Sequence, residues 1–241
     1  MSPEIKFHSF VTSATTLIVF SVWSLSLQIV SKYPVASVVA AGVFTLGIYR
    51  LVNTIFLTMF RKVKPIKKFI LGASYMEGTW VGFFVGHNKN IRYLVETFEQ
   101  DLSLLKVRGR VYRDDFSYHS SHISTDATLD KINGKLSYSY DADAILNTHI
   151  NAGLARFELV RNTREEPAHH IVGYSSDLFH SSKLTAFEDK ISDSTSVELS
   201  KALEEAEKVY NKYRCVSGEQ TSQSFQEGFA TRGIFTMRWF K

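Results

Sequence analysis

The stretch Tyr75-Met-Glu-Gly-Thr-Trp-Val-Gly-Phe-Phe84 predicts the opening strand of a small barrel. Further along, Leu136, Tyr138 and Tyr140 fall on one face of an extended chain, and the intervening serines fall on the other. Asn, Asp, Gly and Ser separate more short runs of this kind. We predict antiparallel strands at residues 79–84, 93–100, 102–107, 110–119, 135–141, 154–161, 171–175, 184–187 and 233–240.

So many short strands must protect their edges, either in a sandwich or by closing into a barrel. About eight strands make a barrel just wide enough for side chains or one small ligand. The predicted fold is therefore an all-β antiparallel barrel with one helix. Thr195-Ser-Val-Glu198 has a capping-box sequence, and apolar residues recur on one face of residues 198–213. We expect this amphipathic helix to pack against the wall or lid of the barrel.

Two apolar segments precede the barrel. Residues 10–30 carry no charge and match the roughly 20 residues that a helix needs to cross a bilayer. A second apolar run covers residues 35–60 and contains Arg50 and Asn53. The alternative for the first run is a cleaved signal peptide, whose apolar stretch is usually only about 7 to 15 residues. We predict a transmembrane hairpin in residues 1–74 and a cytosolic β-barrel ligand-sensing domain in residues 75–241.

Charge is divided unevenly between these two parts. Residues 1–74 hold eight Lys and Arg against one Glu, net +7, and the remaining 20 basic and 23 acidic residues give net −3. The basicity suits anionic lipid headgroups, and the soluble part lacks the positive field of a protein that binds nucleic-acid polymers. Five cations at residues 61–68, against Lys32 alone in the loop, predict that the barrel lies in the cytoplasm. The single cysteine, Cys215, fits a reducing compartment.

The usual catalytic signatures are missing from the sequence, and we predict neither an enzyme nor a cofactor. His119 and His122 are three residues apart, which on a regular strand sends the side chains to opposite faces and disfavours a metal site. The adjacent pair His169 and His170 fails for the same reason.

Aromatic and arginine residues lie on or next to the predicted strands. Planar bases stack on aromatic rings and guanidinium groups hold phosphates, so an aromatic, arginine-lined cup suits a nucleotide. Taken singly, Trp80 also fits a packing residue at the base of the barrel, and each arginine also fits a surface charge. The candidate ligand-binding residues are Trp80, Arg108, Arg110, Tyr138, Tyr140, Arg156, Tyr174 and Arg232.

The chain resembles a known family in the combination of its parts. These parts are two predicted N-terminal membrane helices, a basic juxtamembrane segment, Gly78-Thr-Trp80 at the start of the predicted barrel and Ala230-Thr-Arg-Gly-Ile-Phe-Thr236 at its end. It is similar to the transmembrane β-barrel effectors associated with CD-NTases in bacterial CBASS anti-phage systems. Thr231 and Arg232 resemble that family's Thr/Arg-type turn near the pocket.

This resemblance implies a multi-pass protein of the bacterial inner membrane whose barrel binds a cyclic di- or oligonucleotide made by a partner CD-NTase. Ligand binding is then expected to produce a homo-oligomer whose helices disrupt membrane lipids, causing abortive infection. Two other functions remain open. A membrane-tethered lipocalin-like carrier or sensor of a small apolar ligand predicts a lumen without arginine, and an enzyme acting on membrane lipid or isoprenoid lacks a recognisable nucleophile.

Arg50 is the unusual residue of the second apolar segment. It lies eleven residues before Arg61, or about 16 Å along a helix, which is near the middle of a bilayer. There Arg50 and Asn53 should face another helix or a wet cavity. The alternative places Arg50 at the cytoplasmic interface with residues 51–60 along the membrane surface, but residues 35–49 alone make a short span. We expect ligand-driven oligomers to gather Arg50 around a membrane defect.

Overall fold

The structure, a computed structural model, describes residues 2–25, 34–86, 89–144, 151–178 and 183–218. The chain forms two compact units. One comprises Met1–Tyr75 with Asp101–Leu104, and the other comprises Met76–Gln100 with Leu105–Lys241. The predicted division into residues 1–74 and 75–241 lies one residue from the junction at Tyr75.

Three helices form the first unit: α1 (Pro3–Leu25), α2 (Pro34–Lys62) and α3 (Lys64–Leu71), followed by a 3₁₀ turn at Gly72–Ser74. α1 and α2 are long and apolar enough to cross a membrane. α1 begins seven residues before the predicted segment 10–30, and residues 26–33 lie outside the described residues. α2 ends where Pro65 occupies the first turn of α3, because proline tolerates that position and cannot continue a preceding helix.

The helical unit has a small core of its own. Phe7 and Val11 of α1 pack with Val52 and Phe60 of α2, and Ile70, Leu71 and Tyr75 complete the cluster. Only 17% of the apolar window of α1 and 6% of that of α2 is buried, whereas the core helix of a soluble protein would be mostly buried. Many of their other apolar side chains are exposed, for example Phe20 and Val43, as a lipid-facing surface requires.

Eight antiparallel strands close into a barrel in sequence order, with the last strand paired to the first. They are β1 (Gly78–Val85), β2 (Ile91–Gln100), β3 (Leu105–Arg113), β4 (Tyr118–Asp130), β5 (Lys135–Ala144), β6 (Asn151–Val160), β7 (His170–Asp177) and β8 (Lys183–Ser192). The predicted fold class is confirmed. The predicted closing strand at residues 233–240 lies outside the described residues, and β8 closes the barrel instead.

Two of the predicted strands, residues 102–107 and 110–119, do not match the observed strands, and most of β4 was not predicted as a strand. The prediction of separate strands at residues 102–107 and 110–119 is wrong, because β3 runs through Gly109 and β4 starts at Tyr118. Residues 101–104 form the preceding turn, where the Asp101 amide donates to the Leu104 carbonyl at 2.8 Å. Gly109, which falls between the two predicted strands, therefore lies in the middle of β3.

Side chains fill the barrel interior at the end where β1 begins. Trp80 is fully buried, stacks on Phe98 with ring centroids 5.3 Å apart, and donates its indole N–H to the Met76 carbonyl at 2.9 Å. Leu136, Phe157 and other luminal residues extend this cluster. Of the two roles considered for Trp80, the structure places it in the packing role at the base of the barrel.

One helix, α4 (Leu199–Gly218), covers the outside of the barrel. Its Ala202, Leu203, Ala206 and Val209 pack on outward-facing apolar residues that include Phe83 and Phe187. This contact confirms the expected helix against the barrel wall. It also explains why β1, with the sequence GTWVGFFV, is apolar on both faces.

Candidate functional site

The half of the barrel where β1 ends is not filled by side chains. It contains a cavity of about 350 Å³, which lies within the usual size range of small-molecule sites. Apolar groups of Phe84, Leu94 and Val111 line part of its wall. The polar part of the lining consists of Glu96, His119, Ser120, His122, Tyr138, Tyr140, Asn151, Ser175 and Asp177. The cavity is therefore aromatic and polar, with the packed Trp80 cluster below it.

A buried carboxylate network forms the floor of this cavity. Glu96 is 1% exposed, and its Oε1 lies 2.8 Å from the His122 Nε2 and accepts the Tyr138 hydroxyl at 3.2 Å. Burial and the neighbouring Glu96 charge raise the pKa of Tyr138 well above its ordinary value, so this phenol remains a hydrogen-bond donor. Glu96 is thus held in one orientation by two neighbours.

Glu188 lies next to this network and is completely buried. Neither of its side-chain oxygens has a partner with standard hydrogen-bond geometry among the described residues. Burial raises the pKa of Glu188 well above its ordinary value, and the charge and hydrogen bonding of Glu96 raise it further. A protonated Glu188 can therefore donate a hydrogen bond to the Glu96 carboxylate.

Glycines on the luminal face make room for these large side chains. A Cβ added to Gly82 would lie 2.7 Å from Glu188 Cγ, and one added to Gly109 would lie 2.1 Å from the His122 ring. A Cβ at Gly153 would likewise lie 2.3 Å from the Tyr140 ring. Each glycine lets a side chain of the neighbouring strand lie across its backbone, which is how a narrow barrel holds the site.

A bulge in β4 changes the expected arrangement of the two histidines. Val111 pairs with Ser120 but Tyr112 pairs with Tyr118, so His119 is an extra residue in the strand. Because of it, His119 and His122 both line the cavity, although the regular alternation predicted opposite faces. No cluster of three or more metal-ligating side chains occurs in the part of the chain that the structure describes.

The predicted ligand residues separate into luminal and outer groups. Trp80, Tyr138 and Tyr140 lie inside the barrel, with the rings of Tyr138 and Tyr140 6.2 Å apart. Arg108, Arg110 and Arg156 are exposed, and Arg156 pairs across strands with Tyr174 on the outer face. Thr231 and Arg232 lie outside the described residues, and Arg50 and Asn53 belong to α2. The structure therefore does not bring the predicted arginines to the predicted aromatics.

Arg108 and Arg110 face a groove of about 850 Å³ on the outer surface, in front of the segment that leads into α4. Acidic side chains share this groove, and Arg108 forms an exposed ion pair with Glu99 at 3.4 Å. Asp141 and Asp143 line it as well. Although it is larger than the luminal cavity, its charges are mixed and its sides are open. The lumen is the better candidate site.

The sequence prediction did not include four residues in or next to the luminal cavity: Glu96, Glu188, His122 and His119. A signal for two of them was present: Glu96 stands between Leu94 and Phe98, and Glu188 follows Ala186 by two residues, so both acids fall in an inward-facing apolar register. An acidic residue on the apolar face of a strand predicts either a functional group or a paired charge.

No known protein family matches the chain, and no curated protein is similar to it in sequence.

Proposed function

We propose that the protein is a membrane-tethered effector whose barrel binds a cyclic di- or oligonucleotide and whose helices then act on the bilayer. The observation that carries the proposal is a luminal cavity with aromatic walls in a chain that also has two apolar helices. Tyr140, Tyr138 and Phe84 offer ring faces for base stacking. Ser175, Asn151 and Asp177 offer hydrogen-bonding groups for base edges.

The biological setting is part of the same proposal. A CD-NTase of a CBASS anti-phage system would supply the cyclic nucleotide, and binding would assemble the effector into a homo-oligomer that disrupts the bacterial inner membrane. The protein would act as a receptor rather than an enzyme. The aromatic side chains of the lumen and the two apolar helices support this ligand class and this location.

Calorimetry on the full chain in phosphatidylcholine nanodiscs, with a panel of cyclic di- and trinucleotides, tests the proposal. Replacing Tyr140 by alanine removes one luminal ring, and since base stacking contributes about 1–3 kcal/mol, affinity should fall roughly five- to 150-fold. Tyr174→Ala removes a tyrosine from the outer face and serves as the matched control. If the wild-type protein binds no member of the panel, the nucleotide proposal is abandoned.

A second function is favoured by one observation. None of the described residues that line the cavity is Lys or Arg, as the lipocalin-like carrier or sensor of a small apolar ligand predicts. In that case a neutral fluorescent apolar probe should bind the nanodisc-embedded protein. The probe should bind Tyr140→Ala more weakly than it binds the wild-type protein. Probe binding that cyclic nucleotides leave unchanged would favour the carrier.

A further inference from the structure

Two arginines occupy the mouth of the barrel. In the pairing of β2 with β3, Leu94 lies opposite Val111, and both line the cavity. The next pair, Tyr93 and Tyr112, packs on the outer face. The pair after that is Arg92 and Arg113, which by strand alternation lies on the luminal face, one step closer to the mouth.

Among the described residues no carboxylate forms a direct ion pair with either guanidinium group, although the Arg113 charge lies near enough to Asp115 to help lower the pKa of that acid. Neither arginine forms an ion pair there, and Arg92 donates through Nη1 only to the neighbouring Ile91 carbonyl at 3.0 Å. The acids of the following turn face their own backbone: Asp114 accepts the Asp115 amide and Asp115 accepts the Ser117 amide. Like charges directly opposite each other in a sheet are unfavourable, so this pair is suited to an anion.

The bulge in β4 brings a third group to the same place. His119, the extra residue of that bulge, lines the cavity. Burial lowers the pKa of His119, and the charges of Arg92 and Arg113 lower it further. The strand register and the bulge thus place all three side chains at the same end of the barrel. Bulges commonly turn a side chain toward a functional site in this way.

We infer that Arg92, Arg113 and His119 form a phosphate-binding subsite at the mouth of the barrel, beside the aromatic lumen. Guanidinium groups bind phosphate oxygens in bidentate geometry, and an imidazole adds a further donor. The inference rests on the proposed function in one respect: a ligand with its ring in the lumen would place its phosphate here. The phosphate can come from a soluble ester or from a phospholipid headgroup, and the two sources share this chemistry.

Inorganic pyrophosphate is the probe, because it tests the subsite without any base. It is titrated into the full chain in phosphatidylcholine nanodiscs. Losing one charge-assisted contact should weaken binding about ten- to hundredfold in Arg92→Gln and in Arg113→Gln. Arg108→Gln and Arg110→Gln remove arginines from the outer face and should bind as wild type does. Bound anion should also raise the pKa of His119, which imidazole NMR measures directly.

Pyrophosphate binding that is equal in wild type, Arg92→Gln and Arg113→Gln, or absent from wild type, would overturn the subsite. If pyrophosphate binding depends on the two arginines while no cyclic nucleotide binds, the subsite stands and the proposed function fails. If cyclic nucleotides bind equally well to both variants, the proposed function stands and the subsite fails. Competition by vesicles that contain phosphatidylglycerol would assign the subsite to headgroups, and lack of competition would assign it to soluble phosphates.

Discussion

Glu188 is a fully buried acid whose oxygens have no partner of standard geometry among the described residues. Burying a charged carboxylate is far more costly than burying a neutral carboxyl group, which is why its pKa is raised. The folded chain thus holds the Glu188 proton more tightly than the unfolded chain does. Rising pH should remove that proton and weaken the fold.

The free energy of unfolding of the wild-type protein should fall as the pH rises from about 4.3, the ordinary pKa of a glutamic acid, through the raised pKa of Glu188. Each unit of the rise corresponds to about 1.4 kcal/mol of stability lost at high pH. Glu188→Gln has nearly the same shape as the glutamic acid but cannot lose a proton. The free energy of unfolding of this variant should therefore change less with pH, and it should exceed that of the wild-type protein in mildly alkaline buffer. Thermal unfolding in detergent, followed by β-sheet circular dichroism, measures both effects.

Glu99→Gln is the matched control, because Glu99 lies on the exposed face of β2 in a surface ion pair with Arg108. Such pairs contribute little, and this variant should retain the wild-type pH dependence. A Glu188→Gln variant with an unchanged pH profile would show that Glu188 carries no tightly held proton.

Among the elements, β1 and β4 show what the sequence could and could not predict. β1 packs the core on one side and α4 on the other, so its apolar run was recognisable. β4 faces a polar cavity, and its inward positions include His119, Ser120, His122 and Ser124, which leaves no apolar alternation to detect. A strand that lines a polar site is thus the hardest one to find.

How much of the candidate site could be predicted from the sequence depended on two features: which face of a strand each residue occupies, and how neighbouring strands pair. Val107 and Val111 alternate with Arg108 and Arg110, so the outward direction of these arginines was present in the sequence. The pairing of Arg92 with Arg113 was not, because the register of β2 against β3 is set by the turn at residues 101–104, part of which was predicted as strand. Tyr138 and Tyr140 were placed correctly inside because their strand alternates clearly.

Arg50 is an exposed residue in the middle of α2, a helix that continues without a break to Lys62. Val52, two positions later, packs on α1, and two residues turn a helix by about 200°, so Arg50 points away from α1. An arginine in mid-bilayer costs roughly 2.5–3.5 kcal/mol on insertion scales. Gly47 lies one turn earlier with open space around it, which leaves this face accessible to another copy of the chain.

Arg50→Leu should therefore leave ligand binding by the barrel intact while abolishing ligand-triggered depolarisation, because leucine removes the charge that lines the proposed defect. Vesicles that contain the full chain and a voltage-sensitive dye measure depolarisation after addition of a cyclic nucleotide that binds. Arg50→Lys keeps the charge and should retain most of the response. Wild-type depolarisation in Arg50→Leu would remove this residue from the lesion.

At the scale of the whole molecule, the two halves of the chain carry opposite charge. Residues 1–74 are net +7 and the rest is net −3, so the N-terminal part supplies the basic excess behind the sequence pI of about 9.0 of the whole chain. Within that part, five cations lie at residues 61–68, directly after α2, and the loop between α1 and α2 has only Lys32. Positive residues near the ends of membrane helices are retained on the cytoplasmic side.

We predict that α1 and α2 both span the membrane and that the cations at residues 61–68 keep the barrel on the cytoplasmic side. Protease added to intact spheroplasts should leave the barrel uncut and should degrade it after lysis, because the bilayer shields cytoplasmic domains. Adding four lysines next to Lys32 opposes this charge difference and should expose a fraction of barrels to external protease. Cleavage of the wild-type barrel from outside intact cells would reverse the assigned orientation, and with it the access of the lumen to a cytoplasmic nucleotide.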